Sequence, residues 1–201
     1  MIISDFDYSS FNIKTAVHVG ANVGEELQFY KDLGVSKLYY FEPREEALVE
    51  LMDNCKPYRK QMDIIIFPIG LGANKDEKQI YSGGQSSSFL PPKIHLNVYP
   101  GIHFNEGKTL SVRRGDQILP DNLEIDLLNL DVQGYELEVL KGLGNLLNKT
   151  KIIYTEINTV ELYEKCSTVE YLDAYLFSFK FKRVRTSLQV SEWGDAIYIK
   201  Q

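Results

Sequence analysis

Five short apolar runs recur along the chain: "KTAVHVG", "VSKLYYF", "MDIIIFPIG", "IDLLNLDV" and "KIIYTEIN". Four of them are followed by a stretch with helical spacing. These stretches place Leu27, Tyr30 and Leu33, then Leu48, Leu51 and Met52, then Leu137, Leu140 and Leu147, on one face each; the last is "VEYLDAYLFSF". Strand–helix alternation of this kind leaves few solutions besides a parallel, doubly wound α/β sheet with helices on both faces. "MDIIIFPIG" is apolar throughout, which predicts a strand covered on both sides. The chain closes with "FKRVRTSLQV" and "WGDAIYIK", two strand-like runs with no helix between them, so they are expected to pair antiparallel. Between Leu71 and Ile125 the alternation lapses. A long structureless loop is unfavourable, so this stretch is expected to be a lid-like insertion of about 71–125, in which "KQIYS" and "TLSVRR" form short strands. At 201 residues the whole chain is expected to be one domain.

Composition bears on partners. With a net charge of −6 and a pI near 5.2, the chain lacks the basic face that nucleic acid requires, so no nucleic-acid partner is expected. No apolar run reaches the length of a membrane span. "MIISDFDYSS" carries none of the features of a secretory leader. Cys55 and Cys166 lie far apart and show no metal spacing, so they read as reduced, buried thiols in a cytoplasmic setting. The oligomeric state is left open.

Open α/β sheets bind ligands beyond the carboxyl ends of their strands. Those ends carry Gly20, Ala21, Asn22, Val23 and Gly24; Glu42 and Pro43; Ile69 and Gly70; Asp131, Val132, Gln133 and Gly134; Glu156 and Asn158. Glu42 follows Gly20 by 22 residues, the placement of an acid that accepts the hydroxyls of an adenosine ribose. The glycines do not fit a dinucleotide fingerprint, because Asn22 and Glu25 stand where glycines should. Glu25 and Glu26 at a helix start would also repel a pyrophosphate. A cofactor with a ribose and an ammonium but no phosphate, S-adenosylmethionine, suits these residues better.

In order along the chain, "HVGANVGEE", "FEPREEAL", "GGQSSSFLPP", "LNLDVQGYELEVLKG", "YTEIN" with "ELYEKC", and "WGDAIYIK" resemble the FkbM family of S-adenosylmethionine-dependent methyltransferases. The resemblance implies a Rossmann-like sheet of seven strands, ordered 3-2-1-4-5-7-6 with strand seven antiparallel. It also implies O-methylation of a sugar or glycan hydroxyl, or of a small natural product. The cofactor is expected to be held by His18, Gly20, Ala21, Asn22, Gly24, Glu26, Glu42, Pro43, Ile69, Gly70, Asp131, Val132 and Gln133. Two positions depart from many relatives. His18 stands where an acid is frequent, so Glu26 is left to supply the charge, and Gln133 stands where glutamate is frequent.

Methyl transfer to a hydroxyl requires alignment and is helped by a base or a metal. The candidates for this chemistry are Asp131, Glu136, Glu156 and, in the insertion, His95; His103 lies nearby. Asp131 also reads as a helix cap, and Glu136 as a complement to the helix dipole. Three acids so close together are compatible with a divalent metal, although nothing in their spacing requires one. For the acceptor, Gln85, Ser86 and Ser87 of "GGQSSS", with Tyr135 and Asn158, supply the hydrogen-bonding groups a sugar needs. Arg113 and Arg114 are either contacts for a uronate or a solvated strand edge. Two other classes fit less well: a nucleotide-dependent oxidoreductase and a non-catalytic adenosine-binding module.

Overall fold

A computed structural model describes residues 2–201. In chain order the first half contains β1 (Thr15–Val19), α1 (Leu27–Asp32), β2 (Lys37–Phe41), α2 (Glu45–Cys55), β3 (Asp63–Phe67), β4 (Gly70–Leu71), β5 (Asp76–Ser82) and α3 (His95–Val98). The second half contains β6 (Asn105–Arg113), β7 (Ile125–Leu130), α4 (Glu136–Leu143), β8 (Thr150–Asn158), α5 (Val169–Phe177), β9 (Phe181–Leu188) and β10 (Trp193–Lys200). The main sheet runs β3-β2-β1-β7-β8-β10-β9. Its first five strands are parallel, and β10 lies antiparallel to both β8 and β9. This is the expected order.

Alternate residues of the strands feed two cores, as the pleat requires. Val17, Phe41, Leu128 and Ile153 face α4 and α5. Ala16, Leu38, Leu127 and Ile152 face α1, α2 and the N-terminal segment around Ile3. The sequence reading differs from the structure in three places. The apolar strand β3 is an edge strand, and Ile65, Ile66 and Phe67 are only half-buried. Phe67 covers part of its face by stacking on Phe41, with ring centroids 4.7 Å apart. Met52 is exposed on α2. The helix that begins "YELEVL" ends at Leu143, because Gly144 has φ +50, and the chain continues as a 3₁₀ turn that still buries Leu147.

The stretch between β3 and β7 forms a second, three-stranded sheet, β4-β6-β5. "KQIYS" and "TLSVRR" fall in its antiparallel pair β5–β6, and β4 joins parallel to β6. Between β5 and β6, residues 83–104 cross over the carboxyl ends of the main sheet.

The strand registers place the functional candidates. Val19 pairs with Phe41 and with Leu130, and Leu130 pairs with Thr155. The next residues, Gly20, Glu42, Asp131 and Glu156, therefore stand level. β10 extends the row, because Asp195 is opposite Glu156. These positions continue the pleat parity of the face toward α1 and α2, so one row of carboxyl groups spans the switch point between β1 and β7.

Candidate active site

A cleft of about 490 Å³ opens along this row, a size ordinary for a cofactor site. Gly20 forms part of its floor. Gly20 has φ +84, and a Cβ there would lie 1.7 Å from the carbonyl oxygen of Asp131. The close approach of β7 therefore demands glycine. Ala21 and Asn22 continue the turn, and Asn22 takes φ +45.

Glu42 is 2% exposed and lines the cleft. Its Oε2 accepts a hydrogen bond from the backbone N–H of Asn22 (2.9 Å). Its Oε1 accepts from the backbone N–H and Nε of Arg44 (2.9 and 3.1 Å). Oε1 is thereby filled, and Oε2 keeps acceptor capacity for one further donor. Arg44 also donates to Asn22 Oδ1 (2.7 Å) and to the carbonyl of Gly84 (3.0 Å), tying the crossing loop to this end of the cleft. Pro43, Gly70, Gln85, Ser86 and Ser87 line the same end.

Other candidates stand behind the wall. His18 is buried beneath the cleft. Asn129 Nδ2 donates to the Tyr30 hydroxyl (2.8 Å), which lies in hydrogen-bond contact with His18 Nδ1 (3.2 Å). Burial depresses the His18 pKa to about 3, so the ring is neutral. Its neighbour Glu26, 3.7 Å away, does line the cleft. Burial, with Asp131 and Glu25 adding repulsion, raises the Glu26 carboxyl to about 7. Gly24 turns the chain against Leu51, and Ile69 packs into the core; neither reaches the cleft wall.

At the other end, Asp131, Val132, Gln133 and Tyr135 line the cleft with Glu156. Gln133 takes φ +53, which directs its amide across the row: Nε2 donates to Asp131 Oδ1 (2.7 Å) and Glu156 Oε2 (2.6 Å). A glutamate here would put a third carboxyl between the two. The Tyr163 hydroxyl lies 3.1 Å from Gln133 Oε1 and 3.0 Å from the carbonyl of Ser86, and Ser88 Oγ donates to the Gln133 carbonyl (2.7 Å). The crossing loop is thus also fastened to the acids. Asp131 faces the open cleft, and desolvation raises its carboxyl to about 6 against the hydrogen bond from Gln133, which lowers it. Glu156, 5% exposed, is pushed well above the usual range by burial and by the neighbouring acids.

Glu136 and Asn158 do not line the cleft. Glu136 is fully buried, and its Oε1 accepts from the N–H groups of Val132 (3.2 Å) and Gly134 (3.1 Å). It holds the β7–α4 loop in shape from behind, because those N–H groups precede the helix and need an acceptor. Asn158 is fully buried, with no hydrogen-bond partner for its amide. His95 does line the cleft, but its ring is caged by Tyr99, Phe104 and Tyr163 with centroids 5.0–5.2 Å away. Burial lowers its pKa. His103 is exposed. Among the described residues no group of three or more His, Cys, Asp or Glu is arranged to hold a metal ion.

Residues 18–188 match the methyltransferase FkbM domain. The chain belongs to the FkbM methyltransferase family. It is 30% identical over 158 residues to the 2-O-methyltransferase NoeI of Sinorhizobium fredii, covering 73% of this chain and 64% of that protein. It is 24% identical over 143 residues to the hexuronic acid methyltransferase AglP of Haloferax volcanii, covering 70% and 54%. The chain thus spans less than two thirds of the length of these two relatives. Its fold is that of magnesium protoporphyrin IX methyltransferase from Synechocystis with bound SAM (TM-score 0.53, 9% identity, covering 96% of this chain and 73% of that one). It is equally that of M. capricolum TrmK in complex with S-adenosyl-homocysteine (TM-score 0.53, 13% identity, 94% and 62%). Solved rRNA and tRNA methylases share the fold as well, so the fold alone does not decide the acceptor.

Three cleft residues of this FkbM chain escaped the reading of strand ends. Arg44 looked like a helix-start residue. Tyr163 lies in a loop with no periodic pattern. Asp195 sits inside an apolar strand, where a carboxyl is costly unless it has a use; that cost was the available signal.

Proposed function

We propose that the chain transfers the methyl group of S-adenosylmethionine to a hydroxyl of a sugar or glycan. One observation carries the reading: Glu42, Asp131, Glu156 and Asp195 stand level along a cleft at the switch point of a methyltransferase sheet. The 2-O-methyltransferase and hexuronic acid methyltransferase relatives support a sugar acceptor.

The residues fit the cofactor. Glu42 offers Oε2 as an acceptor to a ribose hydroxyl, the Gly20 turn leaves room for close approach, and Glu26 offers a counter-charge to an ammonium. When bound, S-adenosylmethionine supplies a strongly electrophilic methyl group. Asp131, whose Oδ1 is held by Gln133, receives the acceptor's hydroxyl proton on Oδ2. A carboxyl near 6 is ionised at neutral pH and is basic enough for this task. Gln133 sets the angle between Asp131 and Glu156. The loop 83–88 is a lid, fastened at one end by Arg44 and at the other by Tyr163, that excludes water from the cleft. A nucleic-acid acceptor would bring phosphates to an acidic wall, which this charge pattern opposes. The buried thiols of Cys55 and Cys166 suit a reducing cytoplasm.

The test is calorimetry followed by transfer. S-adenosylmethionine and its demethylated product should bind and NAD should not. Methyl label should then appear in members of a sugar and glycan panel. Label only in capped RNA, or only in a macrolide, would overturn the acceptor assignment; binding of NAD alone would overturn the cofactor.

A further inference from the structure

The charge along the cleft narrows the acceptor further. Resting on the sugar reading above, we infer that the acceptor ring is uncharged, and that Asp195 together with Asp131 shuts out uronates and other anionic sugars.

Asp195 arrives on β10 opposite Glu156 and is 7% exposed. The neutral amide of Gln189 donates to its Oδ2 at 3.1 Å. The Tyr154 hydroxyl also lies against it, held in its protonated form by burial and by Asp195 itself. Neither neighbour cancels the charge. Asp131 and Glu156 are bridged by another neutral amide, that of Gln133. The acceptor end of the cleft therefore presents three carboxyl groups held by amides and hydroxyls.

A carboxylate-bearing sugar needs a cation. Among the described residues lining the cleft, Arg44 is the one Lys or Arg, and it is occupied at the cofactor end by Glu42, Asn22 and Gly84. Arg113 and Arg114, which read from the sequence as contacts for a uronate, are not in the cleft. Arg113 donates to the Val112 carbonyl and reaches Glu77, and Arg114 pairs with Asp116. His95, caged by aromatic rings, is kept neutral by burial. An anionic ring would meet the ionised Asp131 and two further carboxyls with no cation beside them, in a site with little water, where such repulsion is strong. A neutral ring fits, because hydroxyls donate and carboxylates only accept. Trp193, whose Nε1 donates to the Tyr99 hydroxyl (2.7 Å), adds an aromatic wall for its apolar face.

The experiment compares glycosides of glucose, galactose and mannose with those of the matching uronic acids, using labelled cofactor, for the wild type and for Asp195→Asn. Asp195→Ser serves as a second variant if the first fails to fold. Neutral acceptors should be methylated with kcat/KM at least about a hundredfold above their uronate partners. The variant should shrink that ratio at least about tenfold. Equal or preferred use of a uronate by the wild type overturns this inference and leaves the sugar reading standing, as does an unchanged ratio in an active variant. Cofactor binding with label in no sugar of either set overturns both.

Discussion

At the scale of single residues, the carboxyl row divides between recognition and chemistry. Glu42→Ala removes the charged acceptor proposed for a ribose hydroxyl, and should weaken S-adenosylmethionine binding by about 2 kcal/mol, roughly thirtyfold, in a calorimetric titration. An unchanged affinity would remove Glu42 from the ribose site. Asp131→Asn should keep cofactor affinity within a few-fold and lower methyl transfer about a hundredfold or more. In the wild type the transfer rate should rise with pH through about 6, since desolvation lifts the Asp131 carboxyl to that value and the ionised form is the base. Glu26 and Glu156 line the same cleft and Glu136 lies buried behind it, all with raised values, so the limb should be broader than a single titration. A rate flat between pH 5 and 8 would argue against a carboxyl base. The sequence exposed Glu42 and Asp131 because each follows an apolar run where a strand stops, and Glu156 because it interrupts one. Asp195 was hidden because nothing in "WGDAIYIK" says which residue of β8 it will oppose. That is fixed by the antiparallel register, which depends on the turn before β10 and on packing across the whole strand.

Among the elements, the crossing loop is held by side chains from elsewhere, Arg44 at one end and Tyr163 at the other. Arg44 leaves α2's first turn and holds the loop through the Gly84 carbonyl while orienting Glu42 and Asn22. Arg44→Ala should increase hydrogen exchange across residues 83–88 and weaken cofactor binding, while β1, β7 and β8 keep their protection. Unaltered exchange in the loop would mean that Tyr163 and Ser88 suffice to hold it. The motif "GGQSSS" announced a polar loop but not its anchors, since Tyr163 is 77 residues from Ser86 in sequence. The apolar run of β3 likewise announced a strand but not its place: hydrophobicity reports burial, and here a stacked Phe41–Phe67 pair and a half-covered edge share that burial.

For the whole molecule, the parallel, doubly wound class followed from the alternation, because strands alternating with helices admit few architectures, while the strand order came with the family resemblance. The second sheet, by contrast, was legible only as two short strands, since the parallel pairing of β4 with β6 has no local signature. Stability should depend on pH in an unusual sense. Glu26 and Glu136 titrate near 7 in the fold against 4.5 ordinarily, chiefly through desolvation, so the fold holds more protons over that interval and their contribution is lost as pH rises through 7. His18 acts oppositely: near 3 in the fold against 6.5, its contribution is present above 6.5 and lost as pH falls through 3. The two acids outweigh the single histidine between about pH 5 and 7. The Tm of the cofactor-free protein should therefore fall by about 5 °C or more from pH 5.5 to pH 8. Glu136→Gln keeps the acceptor for Val132 and Gly134 and should reduce that fall. A Tm that rises over the same interval would show that these carboxyls are ionised at little cost.

The pairing of Gly70 with Val112 has a kinetic consequence. β1, β2 and β3 meet through short connections and can assemble early, whereas β4 has no partner until the chain has travelled out through β5 and α3 and returned along β6. Closure of so long a loop is entropically slow. Refolding should therefore show two events: a fast one that forms the floor with Gly20 and Glu42, and a slow one, seen as delayed burial of Phe89 and Tyr135, that completes the wall. Cofactor added during the interval would meet only half of its pocket.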